Sequence, residues 1–433
     1  MIPRSRLRLI AAGTIGNVLE FYDFAIYGFF AVSLGHNFFP GNDPVTQILA
    51  AFGVFGVGFL MRPLGGLLTG FIGDRYGRRT ALSYSVTAMA VPTFLVGVLP
   101  GYDTWGVAAP ILLIVLRIIQ GLSVGGEYAT SFTYMVENAA PGRAGLIAAI
   151  GGSGATIGMM LGSSVGTLMA ALLPPDALHA WGWRVPFLLG LAVGMTGYLL
   201  RRDVQEMHAP PHEGHKPIAE TFRHNRPLLA RLSFLPAYAA VGHYLMFLYI
   251  VSWLQFVDRV APERALSLNT ESMAALIPMM IAAGWLSDRI GRKPVLIASI
   301  VLGFVGAVPF LWLMHHPDPA MILLGQFGFV LAIGGAMGVQ PALLVEATPA
   351  HIRCTAIAVG YNISYGLLGG MAPLAATWLV ERTTIDLSPA FLVMAAAAVS
   401  FVAVLTFKET SPVRPAAARL EGGGYAARAH SDS

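Results

Sequence analysis

Four ionisable side chains interrupt long apolar stretches of this 433-residue chain: Glu20, Asp23, Arg117 and Glu127. A charge inside an apolar helix is costly unless it faces a partner or a water-filled cavity, so function is sought there first. Glu20 and Asp23 stand three residues apart, which on a helix gives them one broad face with Asn17 and Tyr27. Arg117 supplies the opposite charge. A carboxylate beside a guanidinium changes its affinity for a proton as the two approach or separate; the alternative is a static pair that only orders the helices. Glu127 lies ten residues beyond Arg117, about 15 Å along a helix, and reads as structural behind Gly125 and Gly126, with a cavity or gating role as the alternative. Gln120, Tyr128, His243, Tyr244, Trp253 and Gln340 are further groups able to bind a substrate. For the aromatics, helix packing or an interfacial belt is the competing role, and for His243 a packed histidine.

The elements that position these residues follow from composition. The chain is 55% hydrophobic and 12% charged, about half the roughly 25% charge of a soluble domain. That leaves too few polar residues to coat soluble domains of this length and points to lipid as the solvent. Long apolar stretches predict twelve membrane-spanning helices near 9–34, 47–70, 80–99, 108–136, 144–173, 183–200, 229–256, 267–286, 294–314, 319–345, 354–380 and 388–407. The fold class is thus an all-α membrane protein of two six-helix bundles, 1–200 and 229–407. A polar loop at 201–228 joins them, and a tail at 408–433 reads as disordered.

The basic residues give the orientation. With an N-terminus in the cytoplasm and twelve spans, 21 of the 27 Lys and Arg fall on the cytoplasmic side and only Arg259, Arg264 and Arg382 on the outer side. Arg62, Arg117 and Arg184 lie in or at the ends of spans. This asymmetry predicts both termini inside. An internal repeat supports two related halves. Gly70-Phe-Ile-Gly-Asp74-Arg75-Tyr-Gly77-Arg78-Arg79 returns 214 residues later as Gly284-Trp-Leu-Ser-Asp288-Arg289-Ile-Gly291-Arg292-Lys293, and Glu137 with Arg143 returns as Glu346 with Arg353. These carboxylates and guanidiniums predict a latch at the cytoplasmic face, topology anchoring being the alternative. A substrate site would lie between the halves near the midplane.

Other chemistries lack residues to carry them. The single cysteine, Cys354, excludes an internal disulfide and a Cys-rich metal site. His208, His212 and His215 fall in the polar linker without a cysteine and read as solvated, so no metal is expected. Metallopeptidase and phosphate-cradling motifs are missing, and no nucleophile-elbow Gly-x-Ser-x-Gly has credible partners. No enzyme activity and no resident cofactor are expected, and the scattered basic residues do not form a nucleic-acid surface. Gly154, Gly158, Gly162 and Gly166 make a smooth stripe in the fifth span for packing and rocking, with Gly366, Gly369 and Gly370 as its counterpart in the eleventh.

The doubled Gly-x3-Asp-Arg-x-Gly-Arg-[Arg/Lys] loop resembles the signature of the major facilitator superfamily. Gly16-Asn17-Val-Leu-Glu20-Phe-Tyr22-Asp23, Arg62-Pro63-Leu-Gly65-Gly66, Arg117-Ile-Ile-Gln120-Gly121-Leu-Ser-Val-Gly125-Gly126-Glu127 and Trp181-Gly182-Trp183-Arg184 resemble its metabolite:proton symporter family. Members of that family carry citrate, dicarboxylates, 2-oxoglutarate, shikimate, or proline and betaine. The chain departs from it at Glu206-Met-His-Ala-Pro210 and in lacking the long coiled-coil tail of some osmolyte carriers. The resemblance implies a cell inner-membrane symporter, acting as a monomer, that imports a small carboxylated metabolite or zwitterion with protons by alternating access. By resemblance to proton-coupled sugar carriers, Asp23 with Arg117 forms the coupling pair, Glu20 being the other candidate acid, and Arg117 also contacts the substrate carboxylate. Drug or metabolite efflux against protons and a transporter-like sensor are the competing functions. The fifth span lacks the Gly-Pro pair common in drug antiporters, and no signalling domain is attached.

Overall fold

The computed structural model describes residues 17–18, 20–41, 43–66, 68, 78–125, 132–133, 135–137, 139–201, 225–350 and 352–410. Asp74, Arg75, Glu127, Tyr128, most of the central linker with its histidines, the tail beyond 410 and the side chains of Arg78 and Arg79 lie outside the described residues. The described chain is helical throughout, without a strand. We label the long helices α1 (20–29, continued by Ala31–Phe38), α2 (Pro44–Leu60, running on to Gly66), α3 (Arg78–Val98), α4 (Ala108–Ser123), α5 (Ala144–Leu172), α6 (Arg184–Arg201), α7 (Arg226–Phe256), α8 (Pro262–Ile290), α9 (Arg292–Met314), α10 (Pro319–Ala347), α11 (Arg353–Thr383) and α12 (Pro389–Leu405).

These helices begin where the sequence supplies a cap or a pre-set turn. Asp43 accepts from the backbone N–H groups of Val45 and Thr46 ahead of Pro44, and Asp318 does the same for Ala320 ahead of Pro319. Among the described residues seven helices are long and apolar enough to cross a membrane, with shorter apolar helices at Thr87–Val98, Ala108–Ser123 and Pro389–Leu405. The eighth span extends beyond the expected 267–286 at both ends. Its charged ends remain helical, with Pro262 opening the first turn and Asp288 and Arg289 carried on the last.

The halves meet along a seam whose basic end carries residues 284–293 and 346–353. There α5 and α8 touch backbone to backbone. A Cβ added to Gly145 would lie 2.5 Å from the Gly284 carbonyl oxygen, and one added to Gly284 would lie 2.5 Å from that of Gly145. Toward the opposite end, Ser163 donates to the Leu266 carbonyl at 3.1 Å, and the rings of Phe52 and Tyr249 lie 5.6 Å apart. Between these ends, Gly56 faces Met371, and Gly370 faces Phe59. The fifth-span glycine stripe, expected as a packing and rocking surface, does pack closely, but two of its glycines lie away from the seam. Gly158 and Gly162 seat α5 on α1 of the same half, and of the stripe Gly166 reaches α8. The eleventh-span glycines differ, because Gly366 and Gly370 lie against α2 across the seam.

Two of the seam-lining helices carry a π-helical segment, Leu245–Tyr249 in α7 and Ile363–Gly369 in α11. Such segments widen the turn and redirect the side chains that follow, and they cluster where helices act on ligands.

Candidate functional site

The site is built on one face of α1, where Glu20, Asp23, Phe24 and Tyr27 repeat at helical spacing and are all buried. Asp23 and Arg117 of α4 face each other with 3.9 Å between Oδ2 and Nη1. Gln120 fills that gap. Its Oε1 accepts from Arg117 Nη1 at 2.8 Å and its Nε2 donates to Asp23 Oδ2 at 2.8 Å. The other Asp23 oxygen accepts from the Thr93 hydroxyl of α3, whose oxygen in turn takes a bond from Gln120 Nε2 at 2.9 Å. Three helices thus close a ring of four polar side chains inside the N-terminal half. A glutamine carries both a donor and an acceptor, so it can link the two charges or let them separate without stranding either.

Aromatic faces complete the enclosure. The Arg117 guanidinium lies 4.1 Å from the centroid of the Tyr27 ring, 5.0 Å from Phe24 and 5.7 Å from Phe55. Tyr27 is fixed by its hydroxyl donating to the Ala51 carbonyl at 3.1 Å. Cation–π contact partly replaces the water lost by a fully buried guanidinium. Nε and Nη2 of Arg117 have no hydrogen-bond partner among the described residues.

Glu20 departs from its expected neighbour. It was grouped with Asp23 and Arg117, but its Oε1 accepts from Arg62 Nη2 of α2 at 2.6 Å. Three residues along a helix leave two side chains about 60° apart on one broad face, enough to aim Glu20 at α2 while Asp23 faces α3 and α4. Arg62 had read as a charge at the end of a span, yet it is 2% exposed, with its guanidinium 5.1 Å from the Phe59 ring and 5.5 Å from Phe24. Phe24 therefore stands between two guanidiniums, one from each ion pair. Asn17, just ahead of α1, is buried, its Oδ1 without a hydrogen-bond partner among the described residues.

The candidates in the C-terminal half divide into seam and periphery. Tyr244 lies at the seam, its ring 5.1 Å from Phe59 and 6.4 Å from Tyr365. Gln340 donates to the Tyr365 hydroxyl at 2.8 Å, and Tyr365 stacks on Tyr361 at 4.1 Å. His243 Nε2 sits 2.7 Å from Met159 Sδ of α5, across the seam. Trp253 belongs elsewhere. Its indole N–H donates to the Asp386 carbonyl at 2.9 Å and its ring neighbours His315, so it fastens the loops at the end of the C-terminal half opposite the basic one. Sequence reasoning missed Thr93, Arg62, Phe59 and Tyr365; the Arg62-Pro63 pair was visible as a motif, but nothing local reveals a partner.

Of the repeated loop expected to form a latch, the second copy lies among the described residues, and its side chains contribute unequally. Asp288 accepts from the backbone N–H groups of Gly145 and Leu146 at 2.8 and 2.9 Å, capping α5 of the other half at its positive end. Arg292 holds Asp288 at 2.8 Å and also makes a two-point contact with Glu346 at 2.9 and 3.2 Å. Arg353 crosses the seam to Glu137 at 2.5 Å. Three residues expected in the latch stand apart from it. Arg289 lies exposed over the Trp285 ring at 3.8 Å; Lys293 donates to the Phe407 carbonyl at 2.7 Å; Arg143 is exposed ahead of α5. On a helix end, Arg289 points away from the seam that its neighbour Asp288 faces.

Known proteins share both the sequence pattern and the fold. Residues 9–206 match the family model described as sugar (and other) transporter, and residues 263–430 that of the major facilitator superfamily. A glycine betaine/proline/ectoine/pipecolic acid transporter of Dickeya dadantii is 34% identical over 457 residues, covering 100% of this chain and 90% of that protein. The proline/betaine transporter of Escherichia coli is 34% identical over 430 residues, covering 95% and 85%. Among solved structures, a proton:xylose symporter bound to 6-bromo-6-deoxy-D-glucose superposes with a TM-score of 0.75 at 16% identity over 94% of this chain and 96% of that one. The xylose transporter from E. coli in a partially occluded inward-open form gives 0.72 at 17%, over 94% and 99%. With its doubled loop, its two bundles of six spans and relatives matched over most of their length, the chain belongs to the major facilitator superfamily and is a multi-pass membrane transporter, not an enzyme.

Proposed function

We propose that the protein imports a small zwitterion of the proline and betaine class together with protons, by alternating access between its two halves. The observation that carries this reading is the ring of Asp23, Gln120, Arg117 and Thr93. It places one carboxylate within reach of a guanidinium but joined to it through a neutral amide, an arrangement that a modest helix shift can open or close. With Arg117 close, the carboxylate holds its charge; with Arg117 withdrawn into a dry site, it takes a proton. Proton occupancy thereby biases the conformational equilibrium, and substrate bound at the seam biases it in turn. Glu20 takes no part in that ring.

The substrate class rests on the relatives' names and on the seam's aromatic walls. Phe55 and Phe59 from one half and Tyr244 and Tyr365 from the other surround the seam, and aromatic faces attract ammonium groups, quaternary ones included. The basic end is read as cytoplasmic, with both termini on that side by the positive-inside rule, and the proposed protein is an inner-membrane monomer. Purified protein in liposomes with an imposed pH gradient, acidic outside, tests this reading. Labelled proline or betaine accumulates, an uncoupler abolishes accumulation, and Asp23→Asn abolishes it while exchange of internal for external substrate continues. Uptake unaffected by the uncoupler, or accumulation of neither substrate, overturns the proposal.

A further inference from the structure

Among the described residues two buried arginines serve the N-terminal half, and they differ in what they can reach. Arg117 is enclosed by its own half: Asp23, Phe24 and Tyr27 of α1, Phe55 and Gly58 of α2, and Gln120 of α4. Arg62 is at the seam. A Cβ added to Gly366 of α11 would lie 3.9 Å from Arg62 Cβ and 4.0 Å from Arg62 Cδ, and 3.2 Å from the carbonyl oxygen of Phe59 one turn earlier. Glycine at 366 lets the two helices come together beside the arginine stem.

Arg62 also has hydrogen-bonding capacity in hand. Nη2 is used on Glu20, whereas Nε and Nη1, both buried, have no partner among the described residues. A guanidinium binds carboxylate through two parallel N–H groups, and leaving buried donors unused is costly. Beside it stand Phe59 and, beyond that ring, Tyr244 and Tyr365 of the other half. An anion-binding fork next to aromatic faces is the pattern a compact zwitterion fits, carboxylate on the fork and ammonium on the rings.

We infer that Arg62 is the anchor for the substrate carboxylate, with Glu20 holding the guanidinium in place and competing with the incoming carboxylate for it. This rests on the zwitterion reading above. It assigns the two ion pairs separate tasks: Asp23 with Arg117 carries the proton, and Glu20 with Arg62 the substrate. Phe24, in contact with both guanidiniums, makes the two sites mechanically adjacent.

The test is ligand binding by the purified full chain, titrated with betaine and with choline, which keeps the trimethylammonium group and replaces the carboxylate by a hydroxyl. Arg62→Lys keeps the charge but loses the planar fork. It weakens betaine binding roughly tenfold or more and leaves choline unchanged, so that the preference for betaine collapses. Glu20→Gln removes the competitor and tightens betaine binding several-fold, a gain that a purely structural pair would not give. Unchanged betaine affinity in Arg62→Lys, an equal loss for both ligands, or weaker betaine binding in Glu20→Gln overturns the anchor. If Arg62→Lys does not fold, Glu20→Gln alone decides. Failure of the unsubstituted protein to bind betaine or proline defeats the substrate class instead.

Discussion

The two halves derive from one repeated plan but hold their charges in different places. In the N-terminal half, both ion pairs lie deep among the helices, Asp23 with Arg117 and Glu20 with Arg62. The C-terminal half has neutral polar contacts at matching depth, Gln340 with Tyr365 and Ser272 with Gln326, and its strong ion pairs sit at the basic end, around Arg292. A buried ion pair contributes little net stability, because desolvation offsets most of the attraction. Among the described residues two such pairs lie in one half and none in the matching interior of the other, an asymmetry that stability alone does not explain. The C-terminal half offers aromatic walls, π-helical turns and a latch.

The largest effect should come from separating these roles. Arg117→Ala leaves Asp23 buried without its counter-charge, which costs about 3–5 kcal/mol and abolishes uptake; thermal unfolding and liposome uptake measure the two. A mutation at matching depth in the other half, Gln340→Leu, leaves no buried charge unpaired and should cost about 1–3 kcal/mol while gradient-driven accumulation persists. Equal losses from both would break the comparison.

Closure at the basic end is the next lever. Gly284→Val places methyl groups where the Gly145 carbonyl and the Ala149 side chain already stand. The basic end is then held apart, so a cysteine placed in the seam should become reactive toward a membrane-impermeant thiol reagent from that side, with transport falling severalfold or more. Asp288→Asn is milder. It keeps the shape but weakens two charge-assisted bonds to the α5 N-terminus, together worth roughly 1.5–3 kcal/mol, and shifts the same accessibility by a smaller amount. Glu137 is largely exposed, so Glu137→Gln should change stability by only about 0.2–1 kcal/mol, seen as a small change in unfolding temperature.

The smallest effect concerns the ends opposite the latch. In the N-terminal half, burial and the nearby His36 lower the pKa of His179, whose ring bonds Ser33 at 2.7 Å. In the C-terminal half, burial raises the pKa of Asp258, which His315 partly offsets. A histidine lowered in the folded state supports stability above its unfolded value of 6.5, and that support is lost as the pH falls through 6.5 toward the lowered value. Unfolding temperature should therefore drop on acidification below that point, and His179→Gln should flatten the drop. An unaltered profile in that variant would remove His179 from the account.

Much of this architecture was legible because lipid demands a long apolar run for every span, and because a charge within such a run is conspicuous. Asp23 and Arg117 stood out on those grounds. Thr93 did not, since a threonine in an apolar helix commonly bonds its own backbone, and Arg62 resembled the many arginines that mark a cytoplasmic end. The repeat was visible at Asp74 and Asp288, but the pairing across the seam was not. Glu137 bonds the arginine of the other copy, Arg353, while Glu346 turns to Arg292 and Arg143 is exposed. Duplicated sequence does not enforce duplicated contacts once the two halves face each other.

The sequence by itself determined the solvent, the number of spans, the twofold plan and the short set of charges that must have a purpose, because each follows from composition and local spacing. The tertiary structure decided which charge meets which. A carboxylate on α1 can turn to α2 or to α4 with a change of three residues, and the choice depends on helices brought together from 42 and 94 positions away. That choice put Glu20 on Arg62, placed Gln120 between Asp23 and Arg117, and set one arginine inside a half and the other at the seam.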